Sequence, residues 1–343
     1  MASLLFFDDQ QTKKALGHHN LAGHPITKLN NVQGPILKNM THNSHSPLIT
    51  LLGPTASGKT KLAVSLANSL TGEIISADSR QVYQGMDIGT GKDLDEYQDI
   101  PYHLIDIIEP SQEYNLFEFA KDFCQSFTQI SQRKALPFLV GGTGMYLDAV
   151  LNRYKLTIAE PDKKTRILLE KKSDDELRTL LLTLNPEQHN ETDLKDRQRL
   201  IQAILIANSI LNQAPELVWP EFTSCIIGIK ASREETRHRI TNRLKLRLKE
   251  GMIEEVDQLH QNGISWEKLY FFGLEYRFIA RYLKGELSYN DMHQKLNSAI
   301  HYFAKQQEKW FRKMEKSGLK IQWLPQNEHL FDQAKQLIDK FQG

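Results

Sequence analysis

Cysteine is nearly absent: the 343 residues contain Cys124 and Cys225 only, far apart and in no CxxC pair. That excludes a cysteine zinc site and a disulfide framework, and it suits a reducing cytosol. Long hydrophobic runs are missing too, and none approaches the roughly 20 residues that span a bilayer. At the start, the apolar run Leu4 to Phe7 ends at Asp8 and Asp9, so no secretory signal is expected, and nothing there is Arg-rich like a transit peptide. Neither sign of charge is in excess, with 43 Lys and Arg against 42 Asp and Glu. A nucleic-acid partner would therefore need a local basic patch. A cytoplasmic monomer without membrane association is expected. At about 150 residues per domain, the length fits one large domain or two.

Residues 1–46 carry scattered His, Asn and Gly with no sustained period and read as a flexible extension; their histidines (18, 19, 24, 42, 45) are too irregularly spaced for a metal site. Order is expected from Pro47. Leu48 to Leu52 is a short apolar run between Pro and Gly, the pattern of a buried strand. Leu62, Leu66 and Leu70 recur every four residues and predict a helix over 59–70. Ile74 to Ala77 predicts a second strand, Phe117 to Ile130 an amphipathic helix, and Pro137 to Val140 a third strand. Strand, helix, strand, helix, strand predicts an α/β fold, a parallel sheet with helices on both faces. A charged helical stretch follows, with a capping box at Ser173 and Glu176, and it reads as a small helical insertion over 156–195. A strand returns at Ser224 to Ile229, and the rest, 196–343 with 47–155 forming the core, is mainly helical with a short strand near 320–324.

The segment Gly53, Pro54, Thr55, Ala56, Ser57, Gly58, Lys59, Thr60 is GxxxxGK[ST] between a predicted strand and a predicted helix. Glycines let backbone N–H groups converge on phosphate oxygens, and the helix start adds partial positive charge. Lys59 supplies a mobile cation and Thr60 a ligand for Mg²⁺. The fold expected is P-loop NTPase-like. The loop says that polyphosphate or pyrophosphate binds; it does not say what carries the phosphates. The strand ending at Val140 runs into Gly-Gly-Thr143 rather than the acid that holds Mg²⁺ in many P-loop NTPases. The strand at 74–77 does run into an acid, Asp78, in the stretch Ser76-Ala77-Asp78-Ser79-Arg80-Gln81. At the C-terminal edge of a parallel sheet that acid faces the ligand crevice, as a general base, a metal-shell ligand, or simply the cap of the following turn.

Between Ile227 and Lys249 there are eight Lys or Arg and two acids, Glu234 and Glu235. This is the local basic patch that the net charge hides. Arg239, Arg243 and Arg247 recur every four residues beside an apolar stripe of Ile240, Leu244 and Leu248, so they border the buried face.

Taken together, GPTASGKT at 53–60, ISADSRQVYQGMDIGTGK at 75–92, PYHLIDI at 101–107, LVGGTGMYLDAVL at 139–151, DRQRLIQAI at 196–204 and SREETRHRITNRL at 232–244 resemble the tRNA dimethylallyltransferases, also called tRNA isopentenyltransferases. The resemblance covers about residues 48–325. It implies transfer of a dimethylallyl group from dimethylallyl diphosphate to N6 of adenine 37, beside the anticodon of tRNA, with Mg²⁺ as cofactor. The partners it implies are the tRNA anticodon arm and dimethylallyl diphosphate. By resemblance Asp78 is the base for N6, Thr143 lines the channel at the reacting adenine, and Arg243 contacts the diphosphate region. Also by resemblance, Ser79, Arg80, Gln81, Arg166, the segment Gln198, Arg199, Leu200, Ile201, Gln202, and Tyr276 with Arg277 contact tRNA. Several positions depart from the family pattern. Gln202 stands where an Arg is usual, Phe272 to Arg277 reads FGLEYR where many bacterial members have RCVGYR, and GTGK at 89–92 replaces GTAK. No Cys follows Cys225, so the zinc finger of eukaryotic relatives is not expected. The readings in competition are an isopentenyltransferase acting on free AMP, ADP or ATP, a P-loop kinase, and a nonenzymatic RNA-binding protein. The insertion and the QR segment favour tRNA over a free nucleotide. The missing acid after Val140 argues against a kinase, and intact Lys59, Thr60 and Asp78 argue against a decayed site.

Overall fold

The computed structural model of the chain describes residues 46–157, 163–184, 186, 197–211 and 216–343. The extension read at 1–46 lies outside the described residues except for Ser46, which begins the first strand. In chain order the elements of the larger compact unit (residues 45–156 and 217–343) begin with β1 (Ser46–Leu52), α1 (Lys59–Leu70), β2 (Gly72–Ala77), β3 (Tyr102–His103), α2 (Leu116–Gln132), β4 (Leu136–Gly141) and α3 (Gly144–Leu151). The smaller unit, Thr157–Glu216, holds α4 (Lys163–Glu170), α5 (Asp174–Leu184) and α6 (Arg197–Leu211). The chain then returns to the larger unit with β5 (Phe222–Lys230), α7 (Arg233–Lys249), α8 (Met252–Gln261), α9 (Trp266–Phe272), α10 (Leu274–Leu283), α11 (Tyr289–Lys316), β6 (Gln322–Pro325) and α12 (Leu330–Gln342).

Six strands form one parallel sheet in the order β3-β2-β4-β1-β5-β6. The central strands β2 and β4 are buried along their whole length, as a sheet covered on both faces requires. Successive side chains of β1 serve opposite faces. Ile49 and Leu51 pack with Leu62 and Leu66 of α1 and Ala334 and Ile338 of α12. Leu48 and Leu52 pack with Phe119, Phe123 and Phe127 of α2 and Phe311 of α11. Each such leucine or phenylalanine contributes about 1.5–3 kcal/mol on burial. Asn115 caps α2, accepting from the amides of Phe117 and Glu118. A third cluster joins the loop after β2 to the C-terminal helices through Tyr83, Leu244, Val256, Phe272 and Tyr276.

The insertion was expected to end at 195, yet α6 closes the smaller unit: Leu200, Ile201 and Ile204 join Leu169, Leu177 and Leu181 in one core. The capping box is present, Ser173 Oγ accepting from the Glu176 amide at 3.3 Å and the Glu176 carboxylate accepting from the Ser173 amide at 2.7 Å. The structure also adds β3, a two-residue edge strand with too little apolar sequence to be read as one.

Candidate active site

The loop 53–58 links β1 to α1 and turns through two left-handed residues, Ala56 (φ 62°) and Gly58 (φ 79°). Gly58 takes this conformation without a Cβ penalty and starts α1, which has no side-chain cap, so its first-turn amides stay open to an acceptor. Lys59 Nζ donates to the Pro54 carbonyl at 3.0 Å. Ser57 Oγ is buried and has no hydrogen-bond partner among the described residues.

The loop is held from the far end of the chain. Gln307, buried in α11, accepts from the Thr55 amide at 2.8 Å and donates to the Gly142 carbonyl at 2.9 Å. This strut fits only because residue 142 is Gly: a Cβ there would sit 2.4 Å from Gln307 Nε2. Arg243 of α7 reaches the same loop and donates to Thr55 Oγ1.

The acid and the hydroxyl read from sequence meet at the C-terminal ends of β2 and β4. The Thr143 amide donates to the Ala77 carbonyl at 3.2 Å, and Thr143 Oγ1 accepts from the Ser79 amide at 3.1 Å. Asp78 Oδ1 accepts from the Arg80 amide at 2.9 Å. One carboxylate oxygen of Asp78 therefore caps the turn, and Oδ2 has no hydrogen bond among the described residues.

The electrostatics are those of a site short of anions. Burial and the neighbouring Arg243 push the Lys59 ammonium down to about 8, Asp78 opposing them. Burial and Arg247 push Arg243 down to about 10, with Glu275, Asp93 and Asp78 opposing. Arg247 pairs with Asp93 at 3.2 Å. Glu275 lines a small cavity with Arg243, Arg247 and Met252, and burial raises its carboxyl above the usual range. Depressed basic groups mean that a bound polyanion is favoured.

Sequence reasoning missed the scaffold of this loop region. The Glu255 carboxylate of α8 accepts from three successive amides, Asp87 at 2.8 Å, Ile88 at 2.6 Å and Gly89 at 3.0 Å. Lys92, fully buried, donates to the Tyr83 carbonyl at 2.8 Å and pairs with Asp87 and Asp106. Gln81 is an internal strut, accepting from Ser76 Oγ at 3.0 Å and donating to the Gly91 carbonyl at 2.9 Å.

Other residues named for tRNA contact divide. Tyr276 is a correction: its ring is buried and its hydroxyl donates to Glu255 at 2.7 Å, so it serves the interior. Arg277, half-buried, donates to the Tyr270 carbonyl at 3.2 Å. Leu200 and Ile201 are corrected likewise, being fully buried in the core of the smaller unit. On the same helix Gln202 is exposed and Arg199 half-buried, while the Gln198 side chain lies outside the described residues. Arg166 pairs with Glu170 along α4 at 3.3 Å.

The profile of the family described as IPP transferase matches residues 81–314, and that described as isopentenyl transferase matches 47–99. The chain belongs to the IPP transferase family. Among curated IPP transferase relatives, it is 56% identical over 306 residues to tRNA dimethylallyltransferase 2 of Citrifermentans bemidjiense, covering 88% of this chain and 99% of that one. It is 55% identical over 291 residues to tRNA dimethylallyltransferase 1 of Geotalea uraniireducens, covering 85% and 96%. The crystal structure of a tRNA isopentenylpyrophosphate transferase from Bacillus halodurans superposes with a TM-score of 0.63 at 32% identity, over 86% of this chain and 95% of that one. A eukaryotic dimethylallyltransferase acting on tRNA shares the fold, with a TM-score of 0.69 at 22% identity over 87% and 77% of the two chains.

Proposed function

We propose that this IPP transferase moves a dimethylallyl group from dimethylallyl diphosphate to N6 of adenine 37, next to the anticodon of tRNA, giving N6-isopentenyladenosine. The observation that carries the reading is the meeting of an under-neutralised phosphate loop with a carboxylate oxygen free to accept a proton, at Asp78. The loop amides, Lys59 and Arg243 hold the diphosphate and stabilise the charge that gathers on it as the C1–O bond breaks. N6 forms its bond to C1, pyrophosphate leaves, and the N6 proton passes to Asp78. Thr143, whose Oγ1 already accepts from Ser79, keeps its O–H to orient the adenine. A base beside the anticodon must leave its stack to reach this point, and extrusion costs least in a single-stranded loop.

The donors suit Mg²⁺. The Thr60 hydroxyl and Ser57 Oγ, which has no hydrogen-bond partner among the described residues, are hard oxygen ligands. Among the described residues no group of three or more His, Cys, Asp or Glu is placed to hold a metal alone. The ion would therefore share its shell with diphosphate oxygens, as Mg²⁺ commonly does. When bound it supplies positive charge to the leaving group.

The smaller helical unit, with Arg166, Arg199 and Gln202, is the part assigned to the tRNA arm. Radiolabelled dimethylallyl diphosphate offered with tRNA or with AMP tests the whole reading. Label in tRNA alone is expected; label in AMP alone would transfer the function to free-nucleotide prenylation.

A further inference from the structure

Single exposed apolar side chains are normal on a protein surface and need no explanation. Phe271, the penultimate residue of α9, differs from that background. The residue is 46% exposed. The Arg80 guanidinium lies 5.1 Å from the ring centroid and Lys268 Nζ 5.2 Å from it. Behind it stands the buried Phe272, edge-on at 6.0 Å, which is itself braced by Tyr83 at 4.8 Å. The ring is thus braced by an aromatic neighbour, with two cations held over it, and remains partly exposed.

Its link to the chemistry is short. The Arg80 amide binds Asp78 Oδ1 at 2.9 Å, and the Arg80 guanidinium donates to the Phe271 carbonyl at 3.2 Å. One arginine therefore spans from the carboxylate to the ring. Lys268 is tied down as well, donating to the Gln112 carbonyl at 2.8 Å. Arg277 also feels the positive field here: burial lowers its guanidinium, and Arg80 and Arg281 lower it further.

A braced, partly exposed ring with two cations held against it suits a molecule that presents a flat π-face next to a phosphate. An unstacked nucleotide in an RNA loop does so, with the base on the aromatic face and the phosphate on Arg or Lys. Resting on the tRNA reading above, we infer that Phe271 is a stacking platform for a second base of the anticodon loop, one neighbouring the adenine at Asp78, and that Arg80 and Lys268 hold its phosphate.

The test measures binding of an unmodified anticodon stem–loop RNA by fluorescence anisotropy for the full chain, Phe271→Ala, Phe271→Leu and Phe271→Trp. Phe271→Ala is expected to weaken RNA binding by about 10-fold or more, with Phe271→Trp restoring it and Phe271→Leu failing to. The slope of log affinity against log salt should not change, since no phosphate contact is lost. Affinity for dimethylallyl diphosphate should stay within twofold. Alanine within twofold of the parent for RNA, full rescue by leucine, or a loss of diphosphate affinity instead of RNA affinity would each overturn the platform. If the parent itself binds no stem–loop, the tRNA reading fails and the platform with it.

Discussion

Gln307 ties the phosphate loop to the sheet, and its removal can be worked out in numbers. One amide side chain satisfies both a loop N–H, at Thr55, and a strand-end C=O, at Gly142, in a buried position. Gln307→Ala leaves both unpaired. Each orphaned buried group costs about 1–3 kcal/mol, so a loss of about 2–4 kcal/mol of stability is expected after partial relaxation. At about 2 °C per kcal/mol for a unit of this size, the melting temperature falls by about 4–8 °C. The functional effect is separate. Thr55 also holds Arg243, so a displaced loop misaligns the amides and the guanidinium together. The KM for dimethylallyl diphosphate should rise about tenfold, with a fall in kcat. Gln307→Glu sharpens the comparison, because it keeps an acceptor for Thr55 but brings a negative charge to a diphosphate cradle. Thermal unfolding and steady-state kinetics on both variants decide. Native stability and native KM in Gln307→Ala would refute the strut and the loop geometry built on it.

Asp78→Asn keeps the shape and the cap to Arg80 but removes the base; kcat should fall about 10²–10⁴-fold with tRNA affinity nearly unchanged, and a drop in melting temperature with an intact single-turnover rate would reduce Asp78 to a turn cap. Lys59 in the free enzyme loses its proton through about pH 8, so diphosphate affinity should be level below pH 8 and fall above it, a step that Lys59→Met removes; calorimetry across pH 7–9.5 reads it. The same group, depressed from 10.5 to about 8, binds fewer protons folded than unfolded between those values, so its contribution to stability rises with pH across that window. Glu255→Gln replaces a charged acceptor that faces four donors, and should cost about 2–4 kcal/mol in urea unfolding and speed hydrogen exchange at the amides of 87–89.

What could be read from the sequence was what is local. GxxxxGKT between an apolar strand and a leucine-spaced helix carries its own geometry, and so does an acid at a strand end. Contacts between distant segments were not legible. Gln307 lies 252 residues from Thr55, and Glu255 lies 166 from Gly89. A faint signal existed for the first: α11 buries Met292, Leu296, Ile300, Ala304, Phe311 and Met314, and a Gln in that stripe calls for a buried partner. Tyr276 and the Leu200–Ile201 pair were misplaced because family contacts were carried over segment by segment. Their own spacing pointed inward: Leu269, Phe272, Tyr276 and Ile279 recur at helical intervals, as do Leu200, Ile201 and Ile204.

The chain leaves the larger unit and comes back to it at one place. Thr157 and Glu216 face each other in an antiparallel bridge, and the Leu217 amide donates to the Leu156 carbonyl at 2.8 Å. Paired residues of this kind sit about 5 Å apart, a gap that a two-residue turn closes. The stretch between them behaves as a cassette. Excision at 158–215 would take out a complete helical core and leave the sheet's hydrogen bonds untouched, whereas a cut at 160–190 would strand α6 without partners. A length change that removes or replaces the whole cassette leaves the chemistry of the phosphate loop unedited, whereas one inside its helices breaks their shared core.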